Sequence, residues 1–293
     1  MAADFLAGWC GGVTAVIVGH PFDTVKIRLQ TQAFGGPKYK GTFHCFSSII
    51  RQESITGLYK GVLSPFFGQT FLNAIAFGVY GRMVTHLTSR SKTKPKMRHI
   101  LLSGAVAGVC QAPVCSLFDL VKTRLQIQGK GERAAVARRV YSGPINCLIK
   151  IYQEEGLQRG ICRGMLSTML RDAPGLAIYF GVYSGLSGLL LGGGGHFGVL
   201  PVLLAAGTSG CIYWFSIFPF DVIKSRIQAD GVGGVSRYSG ILDCFRKSYA
   251  DEGLAAFTRG MFPTLLRAFP ANAVVLLSVE VILKLTNSRG IHG

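Results

Sequence analysis

The segment Val18–Gln30, VGHPFDTVKIRLQ, decides how this chain is read. It follows a run of small and apolar residues, Phe5–Gly19, that holds no formal charge, and it places Pro21, Asp23, Lys26 and Arg28 close together. An ionised side chain in hydrocarbon costs ~2.5–3.5 kcal/mol on insertion scales, so both signs of charge at the end of an apolar helix need a reason. The pattern then recurs. Leu117-Phe118-Asp119-Leu120-Val121-Lys122-Thr123-Arg124-Leu125-Gln126 is the second copy, and Pro219-Phe220-Asp221-Val222-Ile223-Lys224-Ser225-Arg226-Ile227-Gln228 the third. Two further signals keep step with it. One is Tyr39-x-Gly41-xxx-Cys45, repeated from Tyr141 to Cys147 and from Tyr238 to Cys244. The other is an acid followed by a basic-glycine pair: Glu53 with Lys60-Gly61, Glu155 with Arg163-Gly164, Glu252 with Arg259-Gly260. Three signals in one order, three times over, mean internal triplication. The repeats are placed at residues 1–90, 96–189 and 198–288.

Composition points to a membrane. Of 293 residues, 49% are hydrophobic and only 15% charged, against about 25% in ordinary soluble domains. Mean hydropathy is +0.37. Long apolar runs cover Phe5–Gly19, Val62–Gly81, His99–Phe118, Met165–Leu191, Phe197–Phe220 and Met261–Val279, most of them near the ~20 residues that cross a bilayer. Long mixed links follow the first, third and fifth runs; short ones, Arg90–His99 and Leu191–Gly198, follow the second and fourth. The expected fold is therefore an all-α membrane protein. Six transmembrane helices form three pseudo-threefold repeats around a central cavity, with both termini on one side.

The chain carries 31 Lys and Arg against 14 Asp and Glu, a net charge of +17. The bases lie mainly between apolar runs, with no Arg-rich recognition helix or zinc spacing, so anionic lipid is the expected partner rather than nucleic acid. Asp4 and the lack of an early basic stretch make the N-terminus unlike a secretory signal or a transit peptide. Eight cysteines show no CxxC, and the histidines fit no metal or triad spacing. No cofactor, metal site or enzymatic activity is expected.

Two groups of residues carry the candidate chemistry. Each Asp–Lys pair of the repeated motif can bridge locally, i to i+3, or offer an acid to one neighbouring helix and a base to the other. Gln30, Gln126 and Gln228 lie one turn beyond the lysines, in reach of hydrogen bonds to such pairs. Aligning the even helices on Gly61, Gly164 and Gly260 puts Gly68, Arg171 and Arg267 in one layer, Gln69, Asp172 and Ala268 in the next, and Asn73, Leu176 and Asn272 deeper. Arg171, Asp172 and Arg267 are the only charges far inside these runs. They either neutralise one another and snorkel, or bind a zwitterion, the arginines taking a carboxylate and Asp172 a cationic arm. The basic-glycine pairs stand where the even helices begin, a place suited to a phosphate.

The signature Pro-x-Asp-x-x-Lys-x-Arg, with its later acid and basic-glycine pair, resembles the mitochondrial carrier family over nearly the whole chain. The resemblance implies a monomeric, multi-pass solute carrier of the inner mitochondrial membrane that works by alternating access, with short helices on the matrix side. It implies the cyclic pairs Asp23–Lys122, Asp119–Lys224 and Asp221–Lys26 as a matrix gate. Cardiolipin is implied at Lys60-Gly61, Arg163-Gly164 and Arg259-Gly260. Substrate contacts are implied at Leu72–Asn73, Arg171–Asp172 and Arg267. The stretches DFLAGWCGG, GHPFDTVK, KSRIQADG and LLRAFPANA look most like members that move cationic amino acids (arginine, lysine, ornithine). Carriers of carnitine and acylcarnitine share RAFPANA and an Arg-Asp pair, and Phe66, Phe67 and Phe71 leave room for an apolar groove. A proton-conducting uncoupler is a third reading.

Four departures from the family pattern stand out. Leu117 replaces the second motif's proline, which predicts a less kinked helix there. Ser54 follows Glu53 where the other repeats have glycine, and the stretch from Glu155 to Gly164 is one residue longer than its counterparts. The family's aromatic-acid-x-x-base closure of the cytosolic side is mostly missing. Tyr80 is followed by Gly81 and Tyr183 by Ser184, and Glu280 has Lys284 one place late.

Overall fold

The computed structural model describes residues 2–32, 39–88, 95–128, 141–191, 199–231, 236–267, 270–271 and 274, and among them the regular structure is helical. The order is α1 (Ala2–Gln30), α2 (Thr42–Glu53), α3 (Leu63–Thr88), α4 (Met97–Ile127), α5 (Pro144–Gly156), α6 (Met165–Leu191), α7 (Val199–Ala229) and α8 (Ile241–Glu252). Residues 261–267 are helical too. At 1.5 Å per residue the five long helices each run about 40 Å or more, beyond the ~30 Å of a hydrocarbon core. Among the described residues, α4 has both the length and the composition of a membrane span.

The long helices do not stop where their apolar runs do. The first run ends at Gly19, yet α1 continues as helix through Pro21 to Gln30, carrying the charged motif within it. Pro219 likewise lies inside α7. In α4 the helix runs unbroken past Leu117, and its proline, Pro113, lies one turn earlier on an exposed face. An i→i−4 hydrogen bond is therefore missing in each of α1, α4 and α7, and the gap is shifted by a turn in α4. These three begin the repeats and are the odd helices; α3, α6 and the helix of residues 261–267 are the even ones.

Glycine sets the closest approach between helices. A Cβ on Gly104 would come within 2.7 Å of the Leu176 carbonyl, and one on Gly108 within 2.3 Å of the Asp172 carbonyl. These two glycines, four residues apart on α4, let its backbone lie directly against α6. That contact places Asp172 and Arg171 beside the charged end of α4.

The repeated tyrosine and cysteine are structural. Tyr39, Cys45 and Ile49 pack with Val25, Leu29 and Leu58; Tyr141, Cys147 and Ile151 pack with Leu120, Val121 and Leu125; Tyr238 and Cys244 pack with Ile223, Ile227, Ala256 and Phe257. Each is a small core that ties a short helix to the long helix of its own repeat. Burial pushes the Cys147 and Cys244 thiols up to about 12 despite Arg124 beside the first and a Ser248 hydrogen bond at the second, so both are inert at neutral pH. The opposite face of each short helix turns outward. Phe43, Ile145 and Leu242 occupy matching positions and are 73%, 76% and 74% exposed, the pattern of a surface that meets lipid rather than water.

The turns after the short helices resolve two of the sequence anomalies. Gly156 (φ 73°, ψ −169°) and Gly253 (φ 65°, ψ −158°) adopt a conformation essentially confined to glycine. Ser54 adopts the same one, at φ 67° and ψ 177°. The longer second link is absorbed in a single π turn, Leu157–Ile161, closed by the Cys162 N–H donating to the Leu157 carbonyl at 2.9 Å. The other repeats use 3-10 turns, Ile55–Tyr59 and Gly253–Thr258, at that place. A wider turn takes up the extra residue without moving Gly164 out of register. Strain at Ser54 predicts that Ser54→Gly stabilises the protein by about 1 kcal/mol, the low end of the cost of such a conformation. Thermal unfolding of the purified protein checks this: the variant unfolds at a higher temperature, and Gly156→Ser at a lower one.

Candidate functional site: a ring of charges under the central cavity

The repeated Asp and Lys bond between helices. Lys122 Nζ donates to Asp23 Oδ2 at 2.7 Å, joining α4 to α1, and Lys26 Nζ meets Asp221 Oδ2 at 2.8 Å, joining α1 to α7. Lys224 donates to Asp119 and joins α7 to α4, so the circle closes. The three inter-helix pairs form as expected for a cyclic arrangement. The Lys26 ammonium also lies 4.3 Å from the Trp214 ring centroid, a cation–π contact that supports it on its open side.

A second circle lies below the first, and sequence reasoning missed it. Arg28, Arg124 and Arg226, the last bases of the three motifs, are fully buried. Each Nε donates to the glutamine carbonyl on the next odd helix: Arg28 to Gln126 at 3.1 Å, Arg124 to Gln228 at 2.9 Å and Arg226 to Gln30 at 3.0 Å. Each guanidinium also pairs with the glutamate of its own short helix, Glu53 at 2.7 Å, Glu155 at 2.9 Å and Glu252 at 2.8 Å. The signal was present, since the arginine and the later acid recur together. Their partnership shows only when α2, α5 and α8 fold back onto the long helices.

The glutamines divide. Gln30 donates to Asp221 at 3.1 Å and so braces one ring pair. Gln126 instead donates to Thr24 at 3.0 Å, and Gln228 to the Ser116 carbonyl at 3.2 Å, so neither touches a ring pair. Two of the three amides thus bond a hydroxyl or a carbonyl on the adjoining helix.

The cations of the basic-glycine pairs are also partly occupied. Lys60 Nζ bonds Glu53 at 2.7 Å and the Gln128 carbonyl at 2.9 Å; Arg163 bonds Asp230 at 2.7 Å and Glu155 at 3.3 Å; Arg259 pairs with Glu252. Gly61, Gly164 and Gly260 take φ of 78°, 82° and 88°, and at Gly164 a Cβ would come within 2.7 Å of Gln228. Lys60 and Arg163 thus clamp the starts of α3 and α6 onto the ends of α4 and α7, while Arg259 holds to the short helix of its own repeat.

Above the ring lies a cavity of about 470 Å³. Its charged lining comprises the six ring residues with Arg171, Asp172 and Arg267, five cations against four acids. Arg171 is buried and fully engaged: Nε donates to Asp172 at 2.6 Å, Nη1 to Asp221 at 3.0 Å, and Nη2 to Cys115 at 3.3 Å. Asp172 also accepts from Gln111 at 3.3 Å. Arg267 does not snorkel to the surface; its Nε reaches Asp23 at 3.4 Å. Leu72 lines the cavity, as do Leu176, Tyr179, Tyr213 and Trp214. The Asn73 side chain and Asn272 lie outside the described residues. Phe71 does not line the cavity, and the phenylalanines that do are Phe77, Phe118 and Phe180. Toward the far end, Tyr80 stacks on Phe180 with centroids 3.8 Å apart, and Tyr183 stacks on Tyr179 at 6.4 Å. Glu280 and Lys284 are outside the described residues.

Residues 1–91, 93–193 and 195–290 match the mitochondrial carrier protein family. The chain belongs to that family. As a mitochondrial carrier it is an all-α mitochondrial membrane protein of three repeats, built for transport. It is 51% identical over 284 residues to the mitochondrial basic amino acids transporter of Rattus norvegicus, covering 97% of this chain and 89% of that protein. The human protein of the same name is 50% identical over 291 residues, covering 99% and 92%. Solute carrier family 25 member 45 of Mus musculus is 39% identical over 289 residues, covering 96% and 98%.

Two predictions follow from these pairs. Burial alone would raise the Glu53 carboxyl, but the hydrogen bond and charge of Arg28, then those of Lys60, carry it below its ordinary 4.5. Its contribution to stability is present above about pH 4.5 and lost as pH falls through the lowered value. Glu53→Gln leaves Arg28 buried with a neutral partner and costs about 3 kcal/mol; unfolding temperature against pH is lower and flatter below about pH 5 than in the parent. Reversing charge at Asp221 or Lys26 singly abolishes transport, whereas Asp221→Lys with Lys26→Asp recovers only part of it, because the new cation at 221 faces Arg171. Uptake into liposomes measures this, and a double variant no better than either single one counts against the pairing.

Proposed function

We propose that this carrier moves basic amino acids, arginine, lysine and ornithine, across the inner mitochondrial membrane by alternating access, as a multi-pass monomer and without enzymatic activity. The observation that carries the reading is Arg171 paired with Asp172 in the cavity wall, with Arg267 also lining the cavity. Such a site can accept a carboxylate on the guanidinium groups and a cationic arm on Asp172. The names of the rat and human relatives support the substrate class. Leu72, Asn73 and Asn272 are assigned to the remaining contacts. The six ring residues, with Gln30 bracing the Lys26–Asp221 pair, act as the matrix gate, closed in the arrangement described above.

The acylcarnitine reading has one observation in its favour: the aromatic wall formed by Phe77, Phe118 and Phe180. The charged groups would serve a carnitine head equally well, so transport has to separate the two. A lipid, cardiolipin, is proposed at the basic-glycine pairs. A cavity of about 350 Å³ joins Lys60 and Gly61 to Gly143 and Pro144, where α5 begins without a side-chain cap. Free helix amides beside a lysine suit a phosphate headgroup.

Uptake of radiolabelled arginine, lysine, ornithine and carnitine into liposomes tests the substrate. Basic amino acids are taken up and carnitine is not, while Arg267→Ala and Arg171→Ala each lower the rate at least tenfold, about 1.4 kcal/mol of lost interaction. Uptake of carnitine alone overturns the assignment.

A further inference from the structure

Eight residues before each ring aspartate, at one level on the three odd helices, stand Ala15, Gln111 and Tyr213. At 1.5 Å per residue that level lies about 12 Å above the ring. Gln111 on α4 and Tyr213 on α7 line the cavity, and α6, which carries Arg171 and Asp172, packs against both of those helices.

Asp172 has no exposed surface, and both of its carboxylate oxygens are taken. Oδ1 accepts from Arg171 Nε at 2.6 Å and Oδ2 from Gln111 Nε2 at 3.3 Å. A ligand in the cavity therefore meets Gln111 before it meets the acid. Gln111 is only 9% exposed, and its orientation is forced. A carboxylate can only accept hydrogen bonds, so the amide turns its NH2 group to Asp172 and its oxygen away. Among the described residues that oxygen has no hydrogen-bond partner, and its residue borders the cavity. Tyr213 walls the other side. A Cβ on Gly175, three residues past Asp172, would come within 2.7 Å of Tyr213 Cε2, so the phenol packs on α6 there only because residue 175 is glycine.

We propose that Gln111 selects the cationic arm of the substrate, by accepting its N–H hydrogen bonds on the amide oxygen. Asp172 acts through Gln111. By holding the NH2 group it polarises the amide, so the charge of a buried acid is felt at an oxygen that the ligand can reach. The acid meanwhile keeps its bond to Arg171. Selection is then for hydrogen-bond donors rather than for charge alone. Ammonium and guanidinium groups satisfy the oxygen, whereas a quaternary ammonium, such as that of carnitine, has no N–H to offer. A site built to bond an N–H rejects an analogue that lacks it far more strongly than a pocket of matching shape does. The inference rests on the proposed transport function and deepens it, moving the contact with the arm from Asp172 to Gln111.

Lysine and ε-trimethyl-lysine test this, since they share carboxylate, α-amine and charge and differ in the donors on the arm. Each is measured as an inhibitor of radiolabelled arginine uptake into liposomes that hold the full-length protein. In the parent, lysine inhibits about a hundredfold more strongly than its trimethyl derivative. Gln111→Met, close in shape but without the amide, weakens inhibition by lysine at least tenfold and leaves that by trimethyl-lysine within about twofold. A merely structural role would weaken both alike. Gln111→Asn keeps an amide beside Asp172 but withdraws its oxygen by one methylene. It costs ornithine, whose arm is one methylene shorter, more than it costs lysine, and it covers the case in which Gln111→Met fails to fold. Equal inhibition by lysine and trimethyl-lysine in the parent, or folded variants in which the paired compounds change alike, overturns the role of Gln111 and leaves basic amino acid transport standing. A parent that takes up carnitine and neither arginine nor lysine overturns the transport reading and this inference with it.

Discussion

An aspartate and a lysine can be buried at the end of each of three helices only if every charge meets its opposite on the next helix. A helix that satisfied its own pair would gain only a few tenths of a kcal/mol and leave both groups short of partners. Offering one charge to each side closes the circle after three members. Those three pairs draw α1, α4 and α7 together at one end.

The second circle makes the first possible. Arg28, Arg124 and Arg226 bind the helix carbonyls of the neighbouring repeat and the glutamate of their own short helix. The short helices therefore buttress the odd helices from below, with a small core at each corner. Because each arginine bridges two repeats, the charges serve as joints between repeats as well as partners within them. The charges that line the cavity above the ring break the symmetry: Arg171 and Asp172 on α6, Arg267 in the third repeat, and Gly68 at the matching place in the first.

The sequence carried a good deal of this. The all-α class and the three repeats were legible because the motif recurs with its chemistry intact, and Arg171, Asp172 and Arg267 stood out as charges where charge is expensive. Helix ends were not legible from hydropathy, since α1, α4 and α7 run on through residues that satisfy their charge on neighbours. The glutamines shared a position but not a role. Which hydroxyl or carbonyl lies nearest to Gln126 or Gln228 depends on how two helices cross, and no spacing within one helix states that.

By itself, then, the sequence determined the period, the helices and the identity of the charges, because each follows from local pattern and from the cost of burying an ion. Only the tertiary structure decided the partners. Arg28 could not be matched to Glu53 and Gln126, nor Arg267 to Asp23, before the helices were placed. Ser54 could not be seen to share a glycine conformation before the chain turned there. Partners are chosen by distances between segments far apart in the chain, and those distances arise from packing: glycines that let α4 touch α6, and proline-bearing helices that converge on one ring of charge.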